Sequence, residues 1–145
     1  IRDSPKTAWQ QERMRAQDLI IKNVDFKAQG YDIDPASVEL TLANAKKAGV
    51  EKYVKAAVAD VRDFKTPNER LLVITNPPYG ERLLDVAEAE KLYKIMGERF
   101  DKTPGKKYFI ISPHDEFEKH FGAMADKRRK LYNGMIKCQF YMYFK

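Results

Sequence analysis

An α/β fold built on an open, mainly parallel sheet is predicted by three observations along these 145 residues. Helix-like and strand-like segments alternate. The continuous apolar run Leu71-Leu72-Val73-Ile74 reads as a strand covered on both faces. The tail carries an Asn133-Gly134 dipeptide between strand-like stretches, a hairpin signal that adds an antiparallel pair and one reversed strand.

The elements follow in order. Residues 8–23 set Trp9, Met14, Ala16, Leu19 and Ile20 among charges and predict an amphipathic helix, with Trp9 as its packing anchor. Phe26 to Tyr31 reads as a short strand. Asp34 then caps a helix whose first position is Pro35, where a missing N–H costs nothing. Val38, Leu42 and Ala45 share one face of that helix, and Gly49 ends it. Lys55 to Ala59 is the next strand. The strand over Leu71 to Ile74 breaks at Asn76-Pro77-Pro78, because prolines cannot continue a ladder. A helix over 86–101 places Val86, Ala89, Leu92, Tyr93, Met96 and Phe100 at intervals of three and four. Tyr108 to Ile111 is a strand, and Ser112-Pro113 opens a short helix pairing Phe117 with Phe121.

Composition narrows the class. Apolar residues make up 43% and charged residues 33%, a balance that supports a packed core and excludes disorder. The length suits one domain spanning residues 1–145. No apolar run reaches the roughly 20 residues that cross a bilayer, so no membrane partner is expected. The single cysteine, Cys138, makes neither an internal disulfide nor a zinc site by itself, and is read as a buried filler in a reducing, cytoplasmic setting. His114 and His120 have no cysteine or carboxylate at zinc spacing, so no metal is expected. A net charge of +6 and a pI near 9.3 permit a polyanionic partner such as nucleic acid, and equally suit an ordinary basic soluble protein. The run Lys127-Arg128-Arg129-Lys130, placed before the last hairpin, offers phosphate contacts or a solvated face, whereas Lys46-Lys47 and Lys106-Lys107 read as surface positions.

The chemistry gathers in three loops that follow three strands: Gly30-Tyr31-Asp32-Ile33-Asp34-Pro35, Ala59-Asp60-Val61-Arg62-Asp63-Phe64 and Thr75-Asn76-Pro77-Pro78-Tyr79-Gly80. Open α/β sheets bind ligands beyond the carboxyl ends of their strands, which brings such loops to one crevice. A carboxylate at the end of the first strand suits two ribose hydroxyls. A second, with the amide after it, suits an adenine edge. Either aspartate alone also serves as a cap or turn residue. The Asn-Pro-Pro-Tyr run is more specific. A purine's exocyclic amine is a poor nucleophile because its lone pair is delocalised. The Asn76 side-chain oxygen and the Pro77 carbonyl can accept the amine's two protons, proline stiffens the corner, and Tyr79 can stack on the base.

These loops, with Asn44-Ala45, Ala48-Gly49-Val50, the Gly80-Glu81-Arg82 extension and the closing Leu131-Tyr132-Asn133-Gly134, closely resemble the Rossmann-like S-adenosylmethionine methyltransferase domain of the THUMP-associated rRNA methylases. That family was once grouped with adenine-specific DNA methylases. The resemblance runs from about residue 28 onward. It implies S-adenosylmethionine as cofactor, with Asp32 and neighbouring Ile33 at the ribose, Asp60 and Val61 at the adenine, and Asn76 reaching both cofactor and base. Asn76, Pro77, Pro78 and Tyr79 would hold the target, in that family usually the N2 amine of a guanine in 23S ribosomal RNA. The family's first strand, its glycine-rich methionine-binding loop and its THUMP domain have no counterpart here. The expectation is therefore that the preceding part of a longer protein completes the sheet, and that residues 1–145 alone do not methylate. The same loop also serves methyltransferases of adenine N6 or of protein glutamine amides, and a catalytically inactive RNA-binding module remains the reading from another class.

Overall fold

The computed structural model describes residues 6–21, 24–79 and 86–145, which fall into two compact units. The first lies within Ile1–Gly30 and Asp34–Ala57, the second within Tyr31–Ile33 and Val58–Lys145. The Gly80-Glu81-Arg82 stretch lies outside the described residues.

Helix α1 (Lys6–Asp18) opens the first unit. It is shorter than the periodicity predicts, and Trp9 is 71% exposed rather than buried, with the Arg13 guanidinium 5.9 Å above its ring. Strand β1 (Ala28–Asp32) pairs with β2 (Val54–Val58). The bonds Ala28 N–H to Tyr53 O (2.8 Å) and Ala59 N–H to Asp32 O (2.9 Å) bracket this parallel ladder. Between them, α2 (Pro35–Lys47) starts as the sequence dictates. Asp34 accepts from the N–H groups of Ala36 and Ser37, each at 3.1 Å, and from the Ser37 hydroxyl at 2.8 Å. These bonds, the hydroxyl foremost, hold its carboxyl below the usual aspartate range. Gly49 takes φ of +71°, which only glycine adopts without strain, and ends the helix. Val38 and Ala45 are buried, while Leu42 is exposed.

In the second unit, a 3₁₀ turn over Val61–Asp63 follows β2, and β3 (Leu71–Thr75), α3 (Val86–Arg99), β4 (Lys106–Ser112), α4 (Phe117–Phe121), β5 (Lys127–Asn133) and β6 (Ile136–Tyr143) complete the chain. The sheet order is β3-β4-β6-β5. β3 and β4 run parallel in the register Val73↔Tyr108, β6 runs antiparallel to β4, and β5 pairs antiparallel with β6. Thus the predicted hairpin is present, but the basic run forms β5 itself instead of preceding the hairpin. Asn133 opposes Ile136, so the turn residues are Gly134 and Met135, with Gly134 at φ +60°. A glycine of positive φ at the first turn position suits a type II′ hairpin, and it leaves Asn133 on the strand.

The core is aromatic. Tyr93, Met96 and Phe100 of the α3 segment pack on Tyr108 and Ile110 of β4, Phe117 and Phe121 of α4, and Tyr141 and Tyr143 of β6. Phe117 stacks on Phe121 at 5.3 Å, as the four-residue spacing predicts. Each buried tyrosine gives its hydroxyl proton to a backbone carbonyl at the core's rim: Tyr108 to Asp101 (2.6 Å), Tyr141 to His114 (3.2 Å) and Tyr143 to Ala123 (3.1 Å). Burial pushes Tyr141 up to about 12, so it remains a neutral donor.

Two surface expectations are overturned. Lys106 is only 6% exposed, because its ammonium donates to the carbonyls of Pro67 and Glu69 and ties down the segment before β3. Among the described residues of the second unit, β3 is covered on one face, not two. Leu71 and Val73 join the core, whereas Leu72 and Ile74 are 57% and 72% exposed, and among the described residues β3 pairs on one edge alone. Alternation along a strand sends successive side chains to opposite faces, so a continuous apolar run fills both only where a second layer packs.

Candidate active site

The Asn-Pro-Pro corner leaves the carboxyl end of β3, with Asn76 exposed and Pro77 buried. Its position is set from the core. The Tyr93 hydroxyl, fully buried on α3, donates to the Pro78 carbonyl at 3.0 Å and accepts from the Ser112 hydroxyl at 3.3 Å. Burial raises the Tyr93 pKa, which keeps that donor in place. Tyr93→Phe is expected to lower stability by about 1 kcal/mol, since a carbonyl held by the core loses its donor. Urea unfolding should show a lower midpoint at unchanged slope.

Asn76 is bonded within the loop: the Tyr79 hydroxyl donates to Asn76 Oδ1 at 2.6 Å. Asn133 Nδ2 donates to the same hydroxyl at 3.1 Å, and Cys138 Sγ lies 3.9 Å from it. Tyr79 thus carries more than a ring face. Cys138 is buried as predicted, against this tyrosine.

All the predicted cofactor and base residues, Asp32, Ile33, Asp60, Val61 and Asn76 to Tyr79, fall in the second unit. Asp32 ends β1, where its carbonyl receives the Ala59 N–H directly before Asp60. Asp60 caps the 3₁₀ turn, accepting from Arg62 N–H at 2.8 Å and from Arg62 Nη1 at 2.6 Å. The backbone bond first, then the guanidinium, holds its carboxyl below the usual range and therefore ionised at neutral pH. Val61 opens that turn, in which the Arg62 N–H is taken by the Asp60 side chain and the Asp63 N–H by the Asp60 carbonyl at 3.0 Å. Val61 and Phe64 pack on the same core that carries Tyr93. Carboxylates thus stand at or just beyond the carboxyl ends of the two paired strands β1 and β2.

Elsewhere the structure brings together a group that spacing alone missed. Glu90 of α3 places Oε1 3.2 Å from His114 Nε2 and 3.3 Å from His120 Nε2. His114 Nδ1 accepts the Glu116 N–H at 3.2 Å, so its proton sits on Nε2 and faces Glu90. A histidine ligating metal through Nε2 would instead need a proton on Nδ1, against that N–H. Within the basic run, Arg128 is committed to the buried Glu118, which also accepts the Ala125 N–H at 2.7 Å, while Lys127, Arg129 and Lys130 are exposed.

The fold is that of a Rossmann-like methyltransferase domain. A possible methylase from Clostridium difficile 630 superposes with a TM-score of 0.86 at 43% identity, over 97% of this chain and 37% of that one. SMU.472, complexed with SAH, also gives 0.86 at 36% identity, over 98% of this chain and 38% of its own. The ribosomal RNA large subunit methyltransferase K/L of Shewanella baltica is 37% identical over 142 residues, 95% of this chain and 20% of that protein. The chain thus spans a fifth to under two fifths of these proteins. Residues 3–142 match the family described as RMKL-like, methyltransferase domain, and the chain belongs to that family.

Proposed function

We propose that this chain is the catalytic part of an S-adenosylmethionine-dependent methyltransferase acting on an exocyclic base amine in ribosomal RNA, namely N2 of a guanine in 23S rRNA. The observation that carries this reading is the diproline corner, which offers an exposed asparagine beside a backbone anchored to the core by Tyr93. When bound, S-adenosylmethionine would supply an electrophilic methyl on a sulfonium sulfur. Asp32 would hold the ribose hydroxyls with Ile33 alongside, while Asp60 and the Val61 amide would hold the adenine. Asn76 Oδ1 and the Pro77 carbonyl would accept the two protons of the amine, localising its lone pair as nitrogen becomes tetrahedral. Tyr79 would offer a ring face to the base. Once methylated, the amine nitrogen held by Asn76 and Pro77 would be acidic and would give its proton to solvent, so no side chain need act as base.

Lys127, Arg129 and Lys130 on exposed β5 suit phosphate contacts, whereas Arg128 does not. The edge of β3 that no described strand pairs, with the exposed Leu72 and Ile74, supports completion of the sheet and of the methionine pocket by a further strand and glycine-rich loop from the same protein. The test is mass spectrometry of ribosomal RNA from cells lacking the gene. One methylated guanosine should vanish and return on complementation. Loss of a methyladenosine would move the target to N6, and an unchanged modification profile would end the rRNA reading.

A further inference from the structure

Asn133 lies 54 positions from Tyr79 in the chain, yet its amide meets the tyrosine hydroxyl at 3.1 Å, and that hydroxyl meets Asn76 Oδ1 at 2.6 Å. We propose that Asn133 is a positioning residue for Asn76, acting through the Tyr79 hydroxyl; this rests on the methyl-transfer reading above.

The direction of the chain of bonds follows from what each group can do. An amide nitrogen only donates, so Asn133 Nδ2 fills a lone pair of the Tyr79 oxygen. The single phenolic proton is then turned toward Asn76 Oδ1, which only accepts. Successive bonds of one sense polarise each other and hold the Asn76 amide plane against rotation about its last torsion. One lone pair of Oδ1 is spent on Tyr79, and the second keeps a set direction for an incoming amine. Burial raises the Tyr79 pKa, so the phenol stays protonated across the working pH range. The hairpin makes this reach possible. With Gly134 and Met135 forming the turn, Asn133 remains paired to Ile136 and is carried on a strand rather than a loop tip. Cys138, 3.9 Å from the hydroxyl, closes its other side.

The test uses the full-length protein, with methyl transfer from labelled S-adenosylmethionine into rRNA purified from cells lacking the gene. Asn133→Ala should lower kcat about tenfold with KM for rRNA unchanged, as expected for a reacting group held less well. Asn133→Asp should lose as much, although it preserves shape, because a carboxylate accepts the phenolic proton and draws it from Asn76. The decisive arm is a double-mutant cycle. In a Tyr79→Phe background, Asn133→Ala should cost nothing further, since its route to Asn76 is already gone. Additive losses, or full activity in Asn133→Asp, would overturn the positioning role while leaving methyl transfer intact. Should Asn133→Ala fail to fold, the Asp variant alone and paired with Tyr79→Phe decides by the same criterion. If the unaltered enzyme transfers no methyl to this rRNA, the reading of function falls, and the positioning role with it.

Discussion

Gly97→Ala is expected to destabilise the protein by about 3 kcal/mol, at the upper end of overpacking penalties. Gly97 lies inside α3, where alanine would normally favour the helix by about 1 kcal/mol. Here a Cβ would stand 1.9 Å from the Phe121 carbonyl oxygen and 2.7 Å from its carbon. The obstacle is backbone, so no rotamer change relieves it, and α4 has to move away from α3. Phe121 anchors that contact, 4.9 Å from the Tyr143 ring and 6.1 Å from Phe100, so shifting it disturbs three elements of the core. Urea unfolding of the full-length protein should show a large fall in midpoint, and an unchanged midpoint would mean that the helices have slack the packing does not reveal.

Asn76→Ala should reduce turnover on rRNA by about 10²–10³-fold, the loss seen when one donor or acceptor aimed at developing charge is removed. The residue is exposed and touches the fold through the Tyr79 bond, so stability should change little. Affinity for rRNA should stay within about twofold of the unaltered protein, because the base contact proposed for Tyr79 and the phosphate contacts proposed for β5 would persist. This combination separates an enzyme from a binding module, which would be indifferent to the change. Turnover within threefold of normal would remove Asn76 from the chemistry.

Local rules made part of this legible. Asp34, Pro35 and Gly49 bound α2 through interactions spanning a few residues, and the structure repeats them. The four-residue pairing of Phe117 with Phe121 and the glycine turn at Gly134 are legible for the same reason. What escaped depends on partners far along the chain. Lys106 reads as a surface charge until the loop containing Pro67 and Glu69 folds over its ammonium. The placement of Glu90 between His114 and His120 needs α3 laid against α4. Asn-Gly announces a hairpin, yet nothing in that dipeptide says that the asparagine will serve a tyrosine beyond β3. At the candidate site, the residue types in the three loops were readable, whereas the bonds from Tyr93 and Asn133 that position the corner were not.

The reach of the Tyr79 hydroxyl also sets an order of events during synthesis. Its partner Asn133 leaves the ribosome 54 residues later, about 3–10 s at ordinary elongation rates. Until then the corner lacks one of its ties, and β3 waits for β4 and the hairpin to arrive. A nascent chain therefore completes the Tyr79 bond only after α3 and α4 have been synthesised, and slow codons between the two positions would lengthen that interval without altering the finished protein.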